Sequence, residues 1–190
     1  MALTINHLSK SFGEHIVLKD FSANIPTGQV TLLTAPSGKG KTTLLRILMG
    51  LETADNGDIS DFSGLKQNAV FQEDRLCENL SALSNIKLAS PQLQNETIEE
   101  ALSKVGLAEY AHCPISEFSG GMKRRVAILR ALLADYDILF LDEPFKGLDA
   151  ETKTLVMSYV KQRSQGKTVI LVTHDLTEAE MLDTVYKIEL

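Results

Sequence analysis

Val30-Thr31-Leu32-Leu33-Thr34-Ala35-Pro36-Ser37-Gly38-Lys39-Gly40-Lys41-Thr42 is the stretch that decides the fold: an apolar strand, a glycine-rich turn and the opening of a helix. Gly38 and Gly40 let the backbone curl so that successive amide N–H groups point inward, and the helix start adds partial positive charge toward an anion. The pattern fits a phosphate-binding loop, because the strand before it and the helix after it supply the context such a loop requires. Lys41 is placed to reach β and γ phosphates, and Thr42 to offer its hydroxyl to Mg²⁺. The candidate phosphate-binding residues are therefore Ala35, Pro36, Ser37, Gly38, Lys39, Gly40, Lys41, Thr42 and Thr43. Ala35 stands where such a motif normally begins with Gly. If that position needs a positive φ, its Cβ costs about 1 kcal/mol and loosens the loop without removing its donors.

Outward from this stretch, strand and helix alternate. Short strands are expected at 3–8, 16–18 and 21–25. Leu44, Leu45, Ile47 and Leu48 give residues 41–49 the spacing of a buried helix, which Gly50 ends. Asp, Asn, Ser and Gly between 54 and 64 signal turns, and 69–71 is a short strand candidate. Residues 75–112 are helical in pieces, with Leu76, Leu80, Leu83 and Ile86, then Ile98, Ala101, Leu102 and Val105, near helical spacing. A helix follows Ser119 to about Ala134, then a continuously apolar strand at 137–141, a helix at 152–163 and a β-branched strand at 168–172. Strands without polar alternation are covered on both faces, which implies a mostly parallel sheet in an α/β fold with its ligand beyond the carboxyl ends of the strands. The expected organisation is a single domain over 1–190, with a core from 1–72 and 135–190 and a helical subdomain at 73–134.

The 190 residues are 44% hydrophobic and 23% charged, which excludes intrinsic disorder and disulfide scaffolds. With 19 basic and 25 acidic residues the net charge is −6, so no nucleic acid is expected as a partner. Cys77 and Cys113 lie in no CxxC pair and are expected as buried or half-buried thiols. The first ten residues carry no secretory pattern, and no apolar run reaches the ~20 residues of a membrane span, so the expected location is the cytoplasm.

Two further motifs carry chemistry. Ile138-Leu139-Phe140-Leu141-Asp142-Glu143 ends a buried strand in two carboxylates, of which Asp142 suits the Mg²⁺ shell and Glu143 suits activation of water. Alone, such a pair is more often a solvated strand end; the loop at Lys41 gives it weight. Phe118-Ser119-Gly120-Gly121-Met122-Lys123-Arg124-Arg125 reads either as a capped helix with a solvated basic face or as a functional signature.

Here the sequence resembles the ATP-binding cassette family, whose signature is Leu-Ser-Gly-Gly-Gln. The phosphate loop, Gln72, the signature, Asp142-Glu143, Gly147-Leu148-Asp149 and His174 occur in that family's order along nearly the whole chain. The resemblance implies a P-loop NTPase core with a mostly parallel sheet, an N-terminal antiparallel β subdomain and a helical insertion. It implies an ATPase that uses ATP and Mg²⁺ and works as a head-to-tail dimer with a second copy of itself. In such a dimer Ser119, Gly120 and Gly121 contact the γ-phosphate bound on the partner.

By the same resemblance, Gln72 senses Mg²⁺ and water, His174 contacts the γ-phosphate and orients Glu143, and Asp149 links the two sites. Without the motif order, a lone His after a strand reads as structural. Phe12 matches the aromatic that stacks on adenine, with a core role as the alternative. Departures from the family pattern are Ala35 for Gly, Phe118 for Leu, Met122 for Gln, and Phe145-Lys146 before Gly147.

The run Phe71-Gln72-Glu73-Asp74-Arg75-Leu76 resembles the nitrate, sulfonate and taurine importer branch. That implies an integral membrane permease as partner, a solute-binding protein reached through it, and attachment to the cytoplasmic face of the membrane. Leu76, Leu80 and Leu83 then either form a docking groove or fill the insertion's own core. The alternative function is an ATPase of a soluble assembly in DNA repair, translation or iron-sulfur cluster building. No long coiled-coil insertion, second cassette or basic face favours it. A GTPase or small-molecule kinase lacks an Asn-Lys-x-Asp guanine reader.

Overall fold

The computed structural model describes residues 2–36, 38–60, 62 and 64–190. Two sheets share the work. The parallel sheet contains β3 (Val30–Thr34), β5 (Gln67–Val70), β6 (Ile138–Asp142), β7 (Thr168–Val172) and β8 (Tyr186–Glu189), in the order β5-β6-β7-β3-β8. The antiparallel sheet contains β1 (Ala2–Phe12), β2 (His15–Pro26) and β4 (Asn56–Ser60), in the order β2-β1-β4. The helices are α1 (Lys41–Leu48), α2 (Ala82–Ala89), α3 (Asn95–Lys104), α4 (Gly120–Leu133), α5 (Ala150–Arg163) and α6 (Leu176–Met181).

Alternation along the central strands explains why they are apolar throughout. Ile138, Phe140, Ile170, Val172 and Leu33 point to the face shared with α1 and the antiparallel sheet. Leu139, Leu141, Val169, Leu171 and Leu32 point to the opposite face, among Ile86 of α2, Ile98 of α3, Val126 of α4 and Val156 of α5. A strand with both faces covered has no polar side to show, as the sequence predicted for β6 and β7. Each such side chain contributes about 1.5–3 kcal/mol by leaving water.

The strands expected at 16–18 and 21–25 are one strand, β2, whose pairing with β1 is irregular near Asp20, a residue with φ 52°. The turn expected at 54–64 contains strand β4, which pairs Ile59 with Ile5 and Asp58 with Asn6. Its Asn-Gly-Asp composition hides it, because a partner about fifty positions away rather than local propensity makes the strand. Gly57 is required there: at φ 88°, a Cβ would sit 2.5 Å from the carbonyl oxygens of Asn6 and His7.

Residues 71–80 form no helix, so Leu76 and Leu80 are not on the helical stripe expected for them. Asn85, fully buried, fixes this segment instead: its Oδ1 accepts from Cys77 N (2.8 Å) and its Nδ2 donates to the carbonyls of Cys77 (3.0 Å) and Ser81 (3.0 Å). Leu83 is buried and Leu76 packs against the same cluster, so these two leucines serve the core, whereas Leu88 is exposed. The thiol of Cys77 is exposed, contrary to the expectation from composition, while Cys113 is half-buried. After His174 the chain adds α6 and β8; β8 is an edge strand that buries only Ile188, too little for a sequence pattern. Among the described residues no helix is long and apolar enough to cross a membrane.

Candidate functional site

Because β5, β6, β7 and β3 are parallel neighbours, their carboxyl ends lie at one edge of the sheet. Just past those ends stand Gln72 after β5, Asp142 and Glu143 at β6, His174 after β7 and the 35–42 loop after β3. This is the crevice where open α/β sheets hold ligands. A cavity of about 310 Å³ there is lined by Phe12, Val17, Gly38, Gly40, Lys41, Thr42, Thr43, Gln72, Glu143 and His174.

Gly40 precedes α1 with φ 86°, and a Cβ on it would lie 2.7 Å from Val17 Cγ1 and 2.9 Å from the Val17 carbonyl. The loop therefore needs glycine twice over, for its left-handed turn and for its close approach to β2. Lys41 is buried, and its Nζ donates to the carbonyls of Ala35 (2.7 Å) and Pro36 (3.2 Å), which hold the ammonium at the centre of the loop. The non-glycine residues with positive φ among those described are His7, Asp20, Arg75, Glu143 and Asp183, so Ala35 carries no left-handed strain. Lys39 and Pro36 line a neighbouring groove with Val17, Leu18 and Glu189 rather than this cavity. Ser37 lies outside the described residues.

Three oxygen-bearing side chains converge beside the loop. Thr42 Oγ1 donates to Asp142 Oδ2 at 3.0 Å, and Gln72 Nε2 donates to Asp142 Oδ1 at 3.4 Å. A hydroxyl, a carboxylate and an amide form a hard donor set of the kind that Mg²⁺ takes when it also binds phosphate. The residues present thus fit the ion, although among the described residues no cluster of three His, Cys, Asp or Glu stands ready for a metal.

Glu143 has φ 50°, and its N–H donates to the Val172 carbonyl at 2.9 Å. Such a backbone costs about 1–3 kcal/mol and persists only where neighbours impose it, here the end of β7. Its Oε1 lies 3.2 Å from His174 Nε2. Burial pushes the Glu143 carboxyl above its ordinary value; the adjacent His174 opposes that shift, while Glu178 and Asp142 add to it.

The structure leaves Phe12 half-exposed at 50%, so it is a cavity wall and not core. Lys10 Nζ sits 5.0 Å from its ring centroid. Ser119, Gly120, Gly121 and Asp149 do not line the cavity. Ser119 caps α4 by accepting from Met122 N, and Asp149 caps α5 by accepting from Thr152 N at 3.0 Å. A Cβ on Gly121 would lie 3.5 Å from Leu148 Cδ2, so the two segments touch each other within one chain. Phe118 is a buried anchor whose ring meets Tyr110 edge to face at 6.0 Å, and Met122 packs on the core.

Sequence reasoning missed the residues that hold Gln72 and His174. Within the basic triplet, Arg124 is buried at 7% exposure: its guanidinium donates to the carbonyls of Phe71 (2.6 Å) and Gln72, and pairs with Asp74 at 3.2 Å. Arg130 donates to the next carbonyls, Asp74 (3.0 Å) and Arg75 (2.7 Å). The only signal for either was an arginine on an otherwise apolar helix face. Lys153, Thr173 and Glu178 surround the base of His174 and left no motif.

Known proteins resemble the chain along most of its length. A family model described as ABC transporter matches residues 18–146. The aliphatic sulfonates import ATP-binding protein SsuB of Pectobacterium atrosepticum is 39% identical, over 98% of this chain and 74% of its own. SsuB 3 of Rhodococcus jostii is 38% identical over 96% of this chain and 69% of its own. The lantibiotic transport ATP-binding protein SrtF of Streptococcus pyogenes is 36% identical over 95% and 83%.

Proposed function

The chain belongs to the ABC transporter family and is an ATPase that powers a membrane transporter; from that premise we propose that it hydrolyses MgATP in the cavity beyond the strand ends while paired head to tail with a second copy. The observation that carries this reading is a separation. Phe12, the loop, Thr42, Gln72, Glu143 and His174 share one cavity, whereas Ser119 and Gly120 are exposed at the start of α4 away from it. A helix start rich in free amide donors is suited to an anion, and one supplied by a second copy completes the phosphate's surroundings.

In this reading Phe12 stacks on the base, the loop amides and Lys41 hold the β and γ phosphates, and Thr42, Asp142 and Gln72 hold Mg²⁺. The ion supplies neutralisation of phosphate charge. Glu143 accepts the proton of the attacking water as its oxygen bonds to the γ-phosphorus and the bridge to the β-phosphate breaks, giving ADP and phosphate. A carboxylate in a partly desolvated site is a stronger base than one in water, which suits the raised pKa of Glu143. His174, 59% exposed in its side chain and beside Glu143, orients the carboxylate and contacts the γ-phosphate.

The dimer drives an integral membrane permease from the cytoplasmic face, with a solute-binding protein delivering through it. The sulfonate import for which the two SsuB proteins are named supports an importer. The ATPase acts in mass-action terms: ATP stabilises the closed dimer while its γ-phosphate bridges the copies, and hydrolysis releases it. Glu143→Gln should lower turnover by about 10²–10⁴ and trap an ATP-bound dimer visible by sedimentation. A variant that stays monomeric at saturating MgATP refutes the head-to-tail site.

A further inference from the structure

The proposed chemistry leaves one buried acid unused. Glu178 on α6 is 4% exposed; its Oε2 accepts from Thr173 Oγ1 at 2.5 Å, and its Oε1 lies 2.5 Å from Lys153 Nζ. The same ammonium donates to Asp175 Oδ2 at 2.6 Å, and Asp175 N donates to Thr173 Oγ1 at 3.1 Å. Both residues that flank His174 are thus tied to Lys153: Asp175 directly, and Thr173 through Glu178. Lys153 itself sits one turn into α5, its N–H donating to the Asp149 carbonyl at 2.8 Å. His174, by contrast, is exposed, and its ring meets Glu143 at 3.2 Å.

We propose that Lys153 is a positioning residue for hydrolysis: with Glu178 it clamps the Thr173-His174-Asp175 loop onto α5 and so sets the distance between His174 and Glu143. The inference rests on the reading that His174 and Glu143 act on the γ-phosphate. Its physical basis is tolerance: reacting groups need placement within about 0.5 Å, and a loop residue with no anchor of its own cannot supply it. A lysine that holds Asp175, on one flank of His174, and Glu178, which accepts from Thr173 on the other flank, can. Because Lys153 follows Asp149 by one turn, the clamp also ties the His174 loop to the segment that faces the second copy in the proposed dimer.

The test separates positioning from folding. Lys153→Met strands the buried Glu178 charge and destabilises the fold, whereas the double variant Lys153→Met with Glu178→Gln removes that charge along with the clamp. The double variant is expected to recover its melting temperature while kcat stays about 10- to 100-fold below wild type, with calorimetric ATP affinity within about twofold. Lys153→Arg, which can still bridge two carboxylates, is expected to keep kcat within about threefold of wild type. Wild-type kcat in the double variant, alongside a His174→Ala control whose kcat is lowered, overturns the clamp and leaves the reading of His174 standing. Wild-type turnover in His174→Ala instead overturns the reading on which the clamp rests.

Discussion

Thr42 Oγ1 and Asp142 Oδ2 are hydrogen-bonded at 3.0 Å across 100 positions of sequence. The contact joins the first turn of α1 to the end of β6, although β7 lies between β3 and β6 in the sheet. It follows that the loop and the β6 carboxylate reach one another over the strand ends, beyond the last ladder bonds. Gln72 adds to the same carboxylate from the other side.

Asp142→Asn removes one negative charge from this donor set and leaves its shape. We expect the Mg²⁺ concentration needed for half-maximal ATPase activity to rise by at least ~10-fold, since even outer-shell changes at metal sites cost that much. An Mg²⁺ titration of activity checks this; an unmoved midpoint removes Asp142 from the ion's surroundings.

Arg124→Ala leaves the carbonyls of Phe71 and Gln72 without their donor and Asp74 without its charge partner. Arg124 is buried but Asp74 only partly so, which puts the loss below the ~3–5 kcal/mol of a fully buried pair and still within reach of a denaturant titration. Burial already pushes the Asp74 carboxyl upward against the pull of Arg124, so without the arginine Asp74 protonates more readily. The variant should therefore lose less stability at mildly acid pH than at pH 8. A uniform loss at both values contradicts this account of the pair.

The pH profile of hydrolysis follows from Glu143. A base must be ionised to act, and burial raises this carboxyl above the ordinary glutamate value. As pH falls through that raised value, activity falls, so the acid limb of the kcat profile should lie above the ordinary glutamate range. His174→Ala removes the influence that opposes the shift and should move the limb to still higher pH, measured on whatever activity remains. A limb that moves to lower pH reverses the sign of the His174 contribution and refutes the pairing.

Much of the core was legible because it is written locally. Gly38 and Gly40 fit positive φ, and the apolar runs of β6 and β7 reflect a sheet covered on both faces. The Asp142-Glu143 pair was legible because it ends such a run. Strand β4 was not, since Asn56-Gly57-Asp58 carries the residues of a turn and becomes a strand only against β1. Arg124 read as one charge in a basic triplet because its partners are main-chain carbonyls, which any residue presents. Lys153 and Glu178 lie on separate helices, and only packing brings them together.

The amino-acid order by itself determined the phosphate-binding turn, the alternation of strand and helix and the residues with chemistry to offer, because φ preferences and hydrophobic period act over a few neighbours. Only the tertiary structure decided which of those residues meet. Parallel pairing of β5, β6, β7 and β3 brings Gln72, Glu143, His174 and the loop to one edge, while the start of α4 stays outside their cavity. That choice depends on burying both faces of one sheet at once, a condition no short stretch of chain can satisfy alone.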